Sequence, residues 1–264
     1  MTFMLKAPVT VTSDSITPVV LTLDEAPNVA RCLDRLRWAR RIVVLDSGST
    51  DGTAEIARRY PNVALHSRPF DNHAAQWNHA LALVETTWVL TLDADYMVPE
   101  SFMSEAARLV EEHREGAVYA RFRYCVHGKP LRASLYPPRP VLFQPSRSQY
   151  VMDGHTQRLP GLGKSATLET PFDHDDRKPF SRWMVEQRKY AALEAARLVA
   201  TPAAQLEDRI RKAIVLAPPA VLAYTLLVKG AVLDGWPGWY YSFQRMVFEL
   251  LLSKELIRRR FGGL

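Results

Sequence analysis

Cysteine is scarce in this chain: Cys32 and Cys125 are the only two in 264 residues, with no CxxC and no paired spacing. Neither a disulfide framework nor a zinc site is expected, which suits a reducing compartment. Long apolar runs are missing too. The opening MTFMLKAPVTVTSDSITPVV has no continuous apolar core of the signal-peptide kind, so a cytoplasmic location is expected. Residues 213–228, AIVLAPPAVLAYTLLV, are 16 uncharged residues broken by Pro218 and Pro219. A helix spanning the bilayer needs roughly 20 apolar residues. The glycine-rich stretch VVLDSGSTDGT (43–53) is neither GxGxxG nor GxxxxGKS/T, so neither a dinucleotide fingerprint nor a P-loop is supported. There is no internal repeat and no low-complexity segment. The basic residues are dispersed, with no recognition-helix or stacking motif, and nucleic acid is not an expected partner.

What is present is an ordinary globular composition, 47% hydrophobic and 23% charged, with a formal charge of +6. It suffices for one large core, or one core with an appendage. The charge suits anionic partners such as nucleotides or phospholipid headgroups. Up to about Asp95, strand and helix patterns alternate. PVVLTL (18–23) is β-branched and apolar, and DEAPNVARCLDRLRW follows at helical spacing, with Asp24 or Glu25 as the cap and Pro27 in the first turn. RIVVLD (41–46), NVALH and TTWVLTLD read as further strands, AEIARRY and AAQWNHALALVE as helices. Such short connections imply an α/β fold with a mostly parallel sheet covered on both faces. Ligands of these sheets sit beyond the carboxyl ends of the strands, where Asp24, Asp46 and Asp93 fall.

From Ala117 the pattern changes. AVYARFRYCVH and PVLFQ read as mixed strands, separated by Pro137, Pro138 and Pro140. A loop-rich stretch runs from Met152 to Phe180. Three helical patterns follow: SRWMVEQRKYAALEAARLVA, AQLEDRIRKAIVLAPPAVLAYTLLVKGAVL and GWYYSFQRMVFELLLSKELIRRR.

The segment LTLDADYMVPE (90–100) ends an apolar strand in two aspartates one residue apart. Residues i and i+2 of an extended chain share a face, so Asp93 and Asp95 can point together and repel unless a positive charge lies between them. A solvated turn is the plainer reading of a lone DxD. Asp46 sits at another strand end, able to accept hydrogen bonds from a base or sugar, whereas Ser49, Thr50 and Asp51 read as local turn chemistry, Asp51 as a cap for the next helix.

Several motifs occur in order: PVVLTLDEAPNVARCLDRL, VVLDSGSTDGTAEIA, QWNHAL and WVLTLDADYMVPE. Together they resemble the nucleotide-sugar-binding half of family 2 glycosyltransferases, inverting enzymes of the GT-A fold. MDGHTQRL, HDDRKPFSRWMVEQRKYAALEA and VKGAVLDGWPGWYYSFQRMVFELL resemble a subgroup near the lipopolysaccharide-core β-1,4-glucosyltransferases. The resemblance implies that Thr22, Asp24, Asp46, Gln76, Asn78 and Asp93 bind the nucleotide-sugar. Ser47 stands where many members have a second aspartate. It also implies that Asp95, with Asp93 and His174, holds Mg²⁺ or Mn²⁺, and that Arg177 and Arg182, with Lys178, neutralise the diphosphate. The plainer reading of HDDRK is a solvated, salt-bridged loop. The base that accepts the acceptor's proton falls at Asp153, with His155 as the second candidate, although Asp153 could instead cap the Gly154 turn.

The domains expected are a catalytic one, 1–179, with a nucleotide-binding half (1–95) and an acceptor half (96–179), and a helical region, 180–264. The interfacial aromatics and basic end of that region suit a membrane-contacting hairpin, and packing on the catalytic domain or on a second protomer is the other reading. The function expected is metal-assisted transfer from a nucleotide-sugar to a glycolipid or lipopolysaccharide-type acceptor at the cytoplasmic face of the inner membrane. The alternatives are a nucleotidyltransferase and an inactive sugar-nucleotide-binding protein. LTLDEAPN lacks the basic glycine-rich loop of the first, whereas Met152 and Thr156 keep the second open.

Overall fold

The computed structural model describes residues 11–112, 116–132, 137–153, 156–163, 165–200 and 206–261. In chain order the elements are β1 (Ile16–Thr22), α1 (Val29–Asp34), β2 (Ile42–Asp46), α2 (Thr53–Ala57), β3 (Val63–Ser67), α3 (His73–Leu81) and β4 (Trp88–Asp93). Then come β5 (Tyr96–Met97), α4 (Phe102–Glu112), β6 (Val118–Ala120), β7 (Phe122–Val126), β8 (Lys129–Pro130), β9 (Arg139–Phe143), β10 (Val151–Asp153) and β11 (Thr156–Arg158). The last are β12 (Ala166–Thr167), β13 (Phe172–His174), α5 (Phe180–Ala200), α6 (Leu206–Lys212), α7 (Ala217–Ala223) and α8 (Trp236–Phe261).

The chain divides into two compact units, residues 1–122 with 136–176, and 123–135 with 177–264. The sequence reading drew its line at 179/180. Residues 123–135 go with the second unit because the β7–β8 hairpin packs Val126 and Leu131 against Tyr241 of α8.

The first unit is built on a seven-stranded sheet of order β12-β6-β9-β4-β1-β2-β3. The β4-β1-β2-β3 block is parallel, β9 runs antiparallel to β4 and β6, and β12 is parallel to β6. Alternate residues enter two cores, as period-2 side chains must. Val20, Val44, Leu90 and Leu92 enter one with α1 and α4, while Val19, Val43, Leu45 and Val89 enter the other with Trp77 and Leu81 of α3. Burial on both faces explains why these strands read as near-continuous apolar runs.

Local boundaries differ from the reading in places. Helix α1 begins at Val29 with Asn28 as N-cap and no side-chain cap bond. Glu25 instead closes the preceding turn, its carbonyl accepting from the amides of Asn28 and Val29. The stretch expected to be loop holds β10–β13, strands too short to show a period. The long helical pattern after residue 205 is broken. Leu206–Lys212 and Ala217–Ala223 are separate helices, a π-helical turn covers Tyr224–Val228, and a 3₁₀ turn covers Ala231–Asp234.

In the second unit α5 packs along α8 through Ala191, Ala195, Leu198, Leu252 and Leu256. Buried Glu194 and Glu249 are met by Arg197 and Arg211. Gly238, in the first turn of α8, lies so close to the Ala231 carbonyl that a Cβ would stand 1.7 Å from its oxygen. Among the described residues, no helix is long and apolar enough to cross a membrane.

Candidate active site

Three neighbouring parallel strands deliver their last residues to one edge of the sheet. Thr22 of β1 pairs in register with Asp46 of β2, and Leu21 with Asp93 of β4. The Thr22 hydroxyl donates to Asp46 Oδ2 at 2.8 Å. Asp46 Oδ1 accepts from the amides of Gly48 (3.1 Å) and Ser49 (2.9 Å), and the Ser49 hydroxyl donates to Oδ2. Four donors on a buried carboxylate make Asp46 the organiser of the β2–α2 loop. Gly48 completes that loop with φ +97°, a conformation that strains any residue bearing a Cβ.

Asp24 adopts the left-handed region at φ 52°, which aspartate tolerates better than most residues. Its carboxylate accepts from the Thr50 amide at 2.7 Å, and its own amide donates to Ser49 Oγ at 2.8 Å. The loops after β1 and β2 are thereby stitched together. Asp51 accepts from the amides of Ala26 and Thr53, but the N-cap of α2 is Gly52.

Gln76 and Asn78 act through other parts of the protein. Gln76 is fully buried. Its amide nitrogen donates to Ser47 Oγ (2.8 Å) and the Arg68 carbonyl (3.0 Å), and its oxygen accepts from Arg68. A buried side chain engaged in this way holds the Ser47 loop. Asn78 makes a reciprocal pair with the Tyr150 backbone, donating to its carbonyl at 2.9 Å and accepting from its amide at 2.8 Å. It therefore anchors the chain entering β10, the strand that ends in Asp153.

The two aspartates of the DxD lie in a low-dielectric setting. Burial, then the neighbouring Asp95 charge, push the Asp93 carboxyl above the usual range, and Tyr96, Arg139 and His174 only partly oppose this. Asp95 Oδ2 is 3.0 Å from His174 Nε2. Burial would lower the His174 pKa, but the Asp95 carboxylate beside it overrides this and raises it.

His174 is placed by a set of contacts that sequence reasoning missed. It pairs with Tyr96 across β5 and β13, and the Asp175 amide donates to the Asp95 carbonyl at 3.0 Å. Buried Asp175 forms an ion pair with Arg31, which also donates to the Asp175 carbonyl at 3.0 Å. Asn28 donates to Asp176 at 2.8 Å. Helix α1 thus holds the whole HDD segment against the DxD. Cys32, behind this cluster, has its thiol pKa pushed far up, first by burial and then by Asp95, so it is inert as a nucleophile.

Among the described residues no three His, Cys, Asp or Glu side chains form a ready-made metal cluster. Although the His174 imidazole is a donor more typical of softer ions, the carboxylates of Asp93 and Asp95 are nevertheless the oxygen donors that hard divalent cations prefer. Such cations are commonly held by one or two carboxylates together with substrate phosphates. Asp153 ends β10 with its backbone opposite Thr156, and His155 lies outside the described residues. Arg177 and Arg182 belong to the second unit, where Arg182 donates to Glu186 at 3.2 Å.

The architecture has a counterpart among solved structures. Residues 1–349 of TarS from S. aureus, crystallised in complex with UDP-GlcNAc, superpose with a TM-score of 0.51 at 13% identity, covering 94% of this chain and 92% of that one. The likeness shows the fold, which is the GT-A fold. The profile of Glycosyl transferase family 2 matches residues 17–161, more than half of the chain, and the protein belongs to that glycosyltransferase family.

Two relatives come from Rhizobium meliloti. The lipopolysaccharide core biosynthesis glycosyltransferase LpsC is 32% identical over 80 residues, 29% of this chain and 30% of LpsC. The succinoglycan biosynthesis protein ExoA is 33% identical over 112 residues, 38% of this chain and 33% of ExoA. The matched segments thus span about a third of each relative's length.

Proposed function

We propose that this glycosyltransferase moves a sugar, with inversion and with the help of a divalent cation, from a nucleotide-sugar to a glycolipid or lipopolysaccharide-type acceptor. The observation that carries the reading is the convergence of Thr22, Asp46 and Asp93 at the carboxyl ends of adjacent parallel strands, with the Asp95–His174 pair just beyond Asp93. The name of LpsC, a lipopolysaccharide core biosynthesis glycosyltransferase, supports the acceptor class.

In this reading the nucleoside lies against the stitched loops carrying Asp24 and Asp46, and Asp93, Asp95 and His174 face the diphosphate. A divalent cation held there supplies neutralisation of the negative charge that builds on the leaving diphosphate. Asp153 accepts the proton of the acceptor hydroxyl as its oxygen bonds to the anomeric carbon and the bond from that carbon to the diphosphate breaks. The nucleoside diphosphate departs from the opposite face.

A thermal-shift screen of UDP-, GDP- and dTDP-sugars with and without Mn²⁺ tests this. A donor at about 100 times its Kd stabilises by about 2.7 kcal/mol, which raises the melting temperature of a protein of this size by several degrees. One donor is expected to do so, and only with the cation. No shift with any donor would sink the reading.

The second unit supports peripheral contact with an anionic membrane. Exposed Val215, Leu216, Leu227, Val228, Trp236 and Trp239 crowd into a short stretch. Its acidic residue, Asp234, is tucked in, accepting from the Arg132 amide at 2.9 Å. Lys129 lies over the Trp236 ring and Lys229 over Tyr224, an arrangement suited to the lipid headgroup layer. At the far end of α8, Arg258 and Arg259 are engaged with Glu255, so the apolar stretch is the stronger contact. Trp236→Ser combined with Trp239→Ser is expected to cut co-sedimentation with phosphatidylglycerol vesicles several-fold. If the intact protein ignores such vesicles at low salt, or buries this face in a dimer, the membrane contact fails.

A further inference from the structure

Next to Asp93, on the side of β9, the first unit holds a cavity of about 260 Å³. Its charged lining is Arg139 of β9, Arg158 of β11 and Asp93 itself, with Gln157 and Thr91 among the polar residues. One wall is aromatic. Trp77 and Tyr150 stack with ring centroids 5.6 Å apart and an interplanar angle of 27°. The reciprocal Asn78–Tyr150 backbone pair fixes that wall in place.

Size, shape and charge narrow what this cavity holds. It is smaller than the usual ligand site of roughly 300–1,000 Å³, which suits a single ring and not a whole nucleotide-sugar. A rigid aromatic wall suits the C–H face of a sugar. Two guanidinium groups against one carboxylate leave the lining net positive. A guanidinium carries five N–H donors in a fork matched to carboxylate and phosphate, so it can serve a protein partner and a ligand together. Arg139 lies near enough to the Asp93 carboxylate and the Tyr150 hydroxyl to act on both electrostatically.

The position is informative as well. Gln157 and Arg158 stand in register with Met152 and Val151, across the hairpin whose first strand ends at Asp153. The cavity is therefore lined by the DxD strand, through Thr91 and Asp93, and by β11, through Gln157 and Arg158, the strand that pairs with β10.

We propose that the cavity is an acceptor subsite selecting a sugar that bears a carboxylate or phosphate, with Arg139 and Arg158 as its anion contacts. The assignment of the sugar as acceptor rests on the transfer reading above. The anion preference is measured without any donor, so the two fail separately.

The test is a set of ligand-observed NMR titrations of the full chain with methyl glucuronide, methyl glucoside and glucose 6-phosphate. At least one acidic sugar is expected to bind about tenfold or more tightly than the neutral glucoside, the scale of one charge-assisted contact. Which acid is preferred separates carboxylate from phosphate recognition. Arg158→Gln, on an exposed strand position, is expected to erase the preference while keeping the melting temperature and the donor-induced shift, and Arg139→Gln is expected to erase the preference as well. Equal affinity for all three sugars in the wild type overturns the proposal. So does an Arg158→Gln protein that keeps the preference, or one that loses the donor shift instead. Absence of any donor shift in the wild type, with the acid preference intact, would count against transfer and leave an acidic-sugar site.

Discussion

An Asp95→Asn protein is expected to fold normally and to lose sugar transfer. Asparagine keeps the shape of the side chain and a carbonyl oxygen for His174 Nε2, which lies 3.0 Å from Asp95 Oδ2 in the native site. The backbone bond from the Asp175 amide to the Asp95 carbonyl is untouched, and so is the Arg31–Asp175 pair that holds the segment. What disappears is one negative charge beside Asp93. That charge is costly in the resting protein, because it pushes the Asp93 carboxyl up. Two repelling carboxylates held this close favour a positive partner between them. Removing one such preorganised electrostatic element lowers turnover by roughly 10²–10³-fold. The response to added Mg²⁺ or Mn²⁺ should vanish with it, while the melting temperature stays near that of the wild type. Wild-type turnover with the native acceptor, still responsive to cation, would take Asp95 out of the chemistry.

Asp153→Asn separates binding from bond formation. The residue ends β10, whose approach is anchored by the Asn78–Tyr150 pair, and its backbone stands opposite Thr156. If it is the base, asparagine removes proton acceptance in the transition state and no contact with the nucleotide. Donor affinity by calorimetry should remain near wild type while kcat falls roughly 10²–10⁴-fold, the usual range for general-base catalysis. His155→Ala should do less damage. Retained turnover in Asp153→Asn with loss in His155→Ala would move the base to the histidine. If neither variant changes turnover, Asp153 serves only the turn, and the base lies elsewhere.

The alternating strand and helix patterns before Asp95 determined the class of sheet, and hence that Asp24, Asp46 and Asp93 fall at its carboxyl edge. Such periodicity belongs to consecutive residues, so a sequence shows it directly. The turn chemistry of Ser49 and Asp51 was legible for the same reason, since their bonds to Asp46 and Thr53 are short in range, whereas the bonds of Thr50 to Asp24 and of Asp51 to Ala26 join separate loops. Strands of two or three residues such as β5, β12 and β13 carry no period, and only pairing across the sheets defines them. Likewise the helical pattern after residue 205 does not show that the chain leaves its helix at Ile214, with φ 64°, and restarts at Ala217–Ala223 with Pro218 and Pro219 in the first turn, before a π-helical and a 3₁₀ turn. The partners of the candidate site were decided by the tertiary structure alone. Arg31 reaches Asp175 across 144 residues, Asn78 reaches Tyr150 across 72, and His174 reaches Asp95 across 79. Arg139 comes to Asp93 from the antiparallel strand β9. A side chain's charge and hydrogen-bonding groups are written in its own letter, but which other group it satisfies depends on how the layers stack. That is why Gln76 and Asn78, read as ligand contacts, prove to be engaged with the protein itself.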